Sequence, residues 1–243
     1  MKSRPGESEY VSTVRNRVHD HAFLHWSEFA VIIVSANIVS ALVLFGRLLA
    51  VHLPGNIRAL VALIAVSSTI AAALAYYSVL VGSTVALGPL RLIEVTTSLA
   101  IAAAQLGMFL WPIHVLSAEE LKTSNAYLEK LNNWLLFFAL FAFAAAPTSL
   151  IEARSRRAIC LTDGSELDDL EKSQASDRLF ATLTGLVAIT AWALSLVWLS
   201  YAVIVSAVLV AATAMSFGLC NQEQAAKRLA ELAKVDIRRE NHS

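Results

Sequence analysis

A chain of 243 residues that is 57% hydrophobic and 16% charged lacks the side chains that keep a soluble surface wet, since average soluble domains carry roughly 25% charged residues. Nineteen basic residues balance nineteen acidic ones, which speaks against a nucleic-acid binder, and 9 Gly, 5 Pro and 2 Cys exclude collagen-like, disordered and disulfide-framed chains. What remains is an all-α, polytopic membrane helix bundle.

Taken along the chain, Asp, Glu, Lys and Arg are missing from 29–46, 59–90, 95–118, 131–151 and 179–222. A helix needs about 20 apolar residues to cross the hydrocarbon core, so the first, third and fourth runs hold one span each. The second holds one span followed by Gly82-Ser83-Thr84 and Gly88-Pro89, which read as a helix end and a loop. The last run has 44 residues. As a single helix it would measure about 66 Å, twice the hydrocarbon thickness. Two spans fit it better, turning near Leu199-Ser200 with Trp198 and Tyr201 as interfacial aromatics. The predicted spans are therefore 28–50, 57–81, 91–114, 131–151, 179–198 and 201–219.

The distribution of Lys and Arg tests this count independently. With the N-terminus in the cytoplasm, four lie in the arm 1–27, one at Arg91, five in 152–178 and five after Asn221. That makes 15 inside against 4 outside, namely Arg47, Arg58, Lys122 and Lys130. Five spans would give 10 against 9. Six spans with both termini cytoplasmic, in a plasma membrane or bacterial inner membrane, is the expectation. The first apolar run is long enough to span and lies behind a charged arm, so it is expected to stay uncleaved. Cys160 and Cys220 then face a reducing compartment, where a structural disulfide is not expected.

Four segments are polar enough to leave the bilayer. In the arm 1–27, Val11, Val14 and Val18 have helical spacing and suit either a short surface helix or a plain lead-in. In 117–130, Ser117 precedes Glu120 by a capping-box interval, which predicts a short surface helix. The cytoplasmic loop 152–178 opens with the stop-transfer run Arg154-Ser155-Arg156-Arg157. Its acids from Asp163 to Asp169 lack the order of a calcium loop, so they read as a solvated loop or helix cap. The tail 221–243 places Ala226, Leu229, Ala230, Ala233 and Ile237 on one face. It is expected to continue the sixth span and to pack on this chain or a second copy.

Ionisable groups in or beside a span are functional candidates. Arg91 and Glu94 stand three apart at the entrance of the third span, and His25 and Glu28 at that of the first. If those helices are neighbours, the four can gather at one depth to gate, relay protons or bind an ion; otherwise they are interfacial anchors. Asn37, Gln105, Ser67, Ser68, Thr69 and Thr190 form a polar layer near mid-membrane, either interhelical bonding groups or a lined path. His52 and His114 fall at the outer ends of the first and third spans, a weak arrangement for a haem. No metal-ligand or catalytic motif is present, so neither a cofactor nor an enzymatic activity is expected.

The stretch Gly88-Pro89-Leu90-Arg91-Leu92-Ile93-Glu94-Val95-Thr96-Thr97-Ser98 resembles the third helix of heliorhodopsins, in which an Arg is followed three residues later by a counter-ion Glu. The resemblance covers 11 of 243 residues. Retinal attachment in that family requires a Lys in the final span. All six Lys here lie outside the spans, so no pigment is expected. The expected function is an oligomeric multipass protein that passes or gates a small solute or ion. The alternative is a non-transporting subunit or effector that anchors a cytoplasmic partner through 152–178 and 221–243.

Overall fold

In apolar surroundings a peptide group finds no water, so an apolar run satisfies its own backbone only by winding into a helix. The computed structural model describes residues 31–85, 92–117, 123–157 and 164–240, and no strand occurs among them. The helices are α1 (Val31–Ala50), α2 (Gly55–Val85), α3 (Leu92–Ser117), α4 (Ser124–Leu131), α5 (Trp134–Arg157), α6 (Gly164–Val197) and α7 (Tyr201–Glu240). Six stretches are long and apolar enough to cross a membrane: Val31–Ala50, Gly55–Tyr76, Thr96–Ser117, Ser124–Ala146, Arg178–Val197 and Tyr201–Asn221. The chain is thus all-helical, with the composition of a multipass membrane protein. The N-terminal arm lies outside the described residues.

The fourth span begins earlier than expected because α4 and α5 are nearly one rod. The amide of Asn132 still bonds Leu128 O (2.9 Å), and Leu135 and Leu136 bond three residues back to Asn132 O and Asn133 O (3.0 and 3.1 Å). The winding tightens over one turn without stopping. The short helix expected from Ser117 starts instead at Ser124. Its N-cap is Thr123, extended at φ −121° and ψ 151°, whose side chain accepts from the Ala126 amide. Ser117 closes α3 and turns its hydroxyl back to Ile113 O (2.8 Å). Helix α4 buries Tyr127, Leu128 and Leu131 on one face and exposes Asn125, Glu129 and Lys130 on the other.

Between α6 and α7 the helix breaks at 198–200 without Gly or Pro. Trp198 N bonds Leu194 O, and Ile204 N bonds Ser200 O, which places Ser200 at the N-cap, a position serine favours. Tyr201 then donates its hydroxyl to Asn56 O (3.0 Å), pinning the start of α7 to the start of α2. The predicted loop 152–178 is largely helical: α5 continues to Arg157 and α6 begins at Gly164.

Packing closes a ring in the order α2, α3, α5, α6, α7 and back to α2. The first helix lies against α3, sends Leu44 and Leu48 into the common core, and is the least buried span at 22%. Trp134, Phe109, Phe138, Ile64 and Met108 fill the interior, with Trp134 stacked on Phe138 at 5.7 Å and 8°. Leu42, Leu49, Leu183, Leu194 and Val197 face outward, as lipid-facing residues do. Small residues set the closest approaches. Gly185 lies 3.1 Å, measured from an added Cβ, from the ring of Phe143, and a Cβ on Gly107 would run into the ring of Phe137. Ala71 and Ala211 are likewise buried, whereas Ala103 is exposed.

This predicts a pair of opposite outcomes. Gly107→Ala should destabilise the bundle by about 1–3 kcal/mol through overpacking against Phe137. Gly46→Ala, with nothing within 4 Å of its added Cβ, should be neutral or stabilising by up to about 1 kcal/mol. Unfolding in mixed detergent micelles measures both. Equal effects at the two glycines would show that the α3–α5 approach is not the constraint.

Candidate functional site

Several helices bring buried polar side chains together at Asn37, Gln105 and Ser68. Asn37 on α1 and Gln105 on α3 meet between the two helices. Asn37 Nδ2 donates to Gln105 Oε1 at 3.1 Å, and Gln105 Nε2 donates to Ala71 O at 3.0 Å. One side-chain amide thus ties three helices. Asn37 and Gln105 are 4% and 2% exposed, and Asn37 Oδ1 has no partner. An uncompensated buried acceptor costs about 1–3 kcal/mol.

A second tie lies alongside. Ser68, on α2, is within hydrogen-bond distance of Ile64 O (2.8 Å) and Met108 O (3.2 Å), while Trp134 Nε1 donates to its oxygen at 3.0 Å. Ser67 and Thr69 bond back to Leu63 O and Ala65 O on their own helix. Thr190 is exposed on α6 and does not join the layer. Of the residues expected at this depth, Asn37, Gln105, Ser67 and Ser68 are therefore buried, and all four are hydrogen-bonded.

The ionisable candidates divide differently. His25, Glu28 and Arg91 lie outside the described residues. Glu94 is the third residue of α3. The condition set for a four-residue cluster, that the first and third spans adjoin, is met at Asn37 and Gln105. His52 and His114 are both exposed, His114 tilted against the Trp111 ring at 5.8 Å and 47°. Among the described residues no group of three or more His, Cys, Asp or Glu is placed to hold a metal ion.

Sequence reasoning missed a clamp at the outer end. Trp192 Nε1 donates to Asn133 Oδ1 (3.1 Å), while Asn132 Nδ2 donates to Trp192 O (3.4 Å), so α6 and the α4–α5 junction hold each other reciprocally. Trp111 Nε1 donates to Lys130 O (2.6 Å), which fixes α3 to α4. The available signal was Asn132-Asn133 opening an otherwise apolar run, with a Trp deep in the fifth. No family model matches this chain, and neither a curated protein nor a solved structure matches it.

Chemically the layer is a set of neutral amides, hydroxyls and an indole, able to bond helices and to solvate a neutral or cationic guest. Gln105→Leu removes both bonds of the three-helix tie and leaves Asn37 wholly unpaired, with an expected loss of about 1–2 kcal/mol. Adding Asn37→Leu should recover part of that loss, because replacing both partners by apolar groups is nearly neutral. A double-mutant cycle on unfolding free energy measures the coupling; strict additivity would mean that the amide pair carries no energy of its own.

Proposed function

We propose that this protein is a membrane-anchored platform. In this reading a six-span bundle sits in a plasma membrane or bacterial inner membrane with both termini in the cytoplasm, and holds a soluble protein partner, or a second copy, at that face. The observation that carries it is the length of three helices. Past the end of the charge-free run 131–151, α5 continues for 6 residues (152–157); α6 is preceded by 14 (164–177) before its span, and α7 continues for 19 (222–240) past its own. The last corresponds to about 28 Å of helix. Because the spans alternate in direction, all three prolongations leave the bundle at the same end. The opposite end has short links among the described residues, at 51–54 and 198–200.

Charge supports the same reading. Segments 152–178 and 221–243 hold ten of the nineteen basic residues and eleven of the nineteen acidic ones. A helical surface so densely charged in both signs suits a polar protein partner more than lipid or nucleic acid. The 15-to-4 division of basic residues supports placing this end in the cytoplasm.

A second reading, passage or gating of a small solute or ion, is favoured by one observation: the unpartnered Asn37 Oδ1 beside Gln105 at mid-span. Glu94, with Arg91, His25 and Glu28, would guard its cytoplasmic entrance.

Two measurements separate these readings. Purified protein in liposomes is expected to give no ion or solute flux above protein-free vesicles. The mass of the complex extracted in detergent from native membranes is expected to fall by at least one partner when 222–243 is deleted. Flux that Glu94→Gln or Gln105→Leu abolishes would overturn the platform and establish passage.

A further inference from the structure

In a helix, each N–H closes on the carbonyl four residues back, and proline has no N–H to close with. Pro112 lies inside α3 and is buried, so the carbonyl that loses its donor is that of Met108. The proline ring also crowds that same carbonyl and turns it off the helix axis. The Ser68 hydroxyl, on the neighbouring α2, lies 3.2 Å from the Met108 oxygen. Both residues are sealed from solvent, at 1% and 0% exposure. The hydroxyl has one proton to give and two acceptors in range, Met108 O across the gap and Ile64 O on its own helix at 2.8 Å. Trp134 Nε1 fills the remaining side of the oxygen in either case.

We propose that Ser68 and Pro112 form a two-position hinge bolt in α3. With the proton on Met108 O, the ladder opened by the proline is closed from outside and the outer segment 112–117 is held. With the proton on Ile64 O, Met108 is left open and that segment can pivot. The segment carries Val115 and Leu116 into the core and adjoins Trp111, whose indole holds Lys130 O, so its motion passes to α4. The bolt operates whether the bundle anchors a partner or conducts a solute.

The test is site-specific labelling by a membrane-permeant maleimide, in full-length protein in nanodiscs with Cys160→Ser and Cys220→Ser. Val115→Cys reports the outer segment and Ala104→Cys the rest of α3; both positions are buried. Ser68→Ala should speed labelling at 115 about tenfold, the factor that one lost buried hydrogen bond supports, and alter it at 104 by less than about twofold. Pro112→Ala returns an N–H to Met108 O and should cancel that rise in the double variant. Ser68→Thr should keep the slow rate. Equal rises at both positions would mark general loosening and overturn the hinge, as would a rise that Pro112→Ala does not suppress. If Ser68→Ala does not assemble, Pro112→Ala alone decides: a rate at or below the parent at 115 supports the bolt, and a faster one overturns it.

Discussion

A polar group placed among apolar helices has only the protein to bond with, and much of this structure follows from how those few groups are paired. The backbone solves the problem locally by winding every apolar run into helix. The side chains solve it between helices. Gln105 spends its amide on Asn37 and on the backbone of α2, Trp134 spends its indole on Ser68, and Trp192 exchanges bonds with Asn132 and Asn133. Each of these bonds is weak by itself, about 0.6 kcal/mol on average in membrane bundles. Their value is in direction: dispersion between Leu and Ala faces holds helices together at many rotations, whereas an amide must meet its partner.

The ties also account for the order of the ring. Dispersion is available on every face of such helices, as the many outward-facing leucines and valines make plain. What distinguishes the inner faces is small residues that permit approach and polar ones that require a partner. Gly107 admits the ring of Phe137, Gly185 admits Phe143, and Ser68 meets Met108. The first helix joins this ring with one amide pair and a short apolar stripe, which matches its low burial. The two ends of the bundle differ as well. Short links and the bonds from Arg58, Tyr201, Trp111 and Trp192 stitch one end, while α5, α6 and α7 run on past the other.

Much of the architecture was legible in advance because hydrocarbon imposes one length and one secondary structure. Gaps between charges located six apolar helices, and a 44-residue run had to be folded back even without a Gly or Pro to mark the place. Ends were read less well. Ser117 satisfied a capping-box pattern yet lies at the end of α3, because the apolar face through Val115 and Leu116 stays buried and carries the helix up to it. Thr123 caps instead, from an extended backbone that no spacing rule singles out. The segment 152–178, polar enough to look like a loop, is mostly the continuation of two helices, since polarity removes a residue from the bilayer without breaking its helix.

Composition and charge spacing by themselves determined the all-helical class of the chain, the number of apolar helices and where along them Asn37, Gln105 and Ser68 fall, because each of these depends on position along one chain. Which of those groups would meet was decided only by tertiary structure. Hydrogen bonding between helices depends on rotation about two axes and on their register, and 68 residues separate Asn37 from Gln105. The same holds for Pro112, whose missing N–H is written in the sequence while the hydroxyl that replaces it is supplied from another helix.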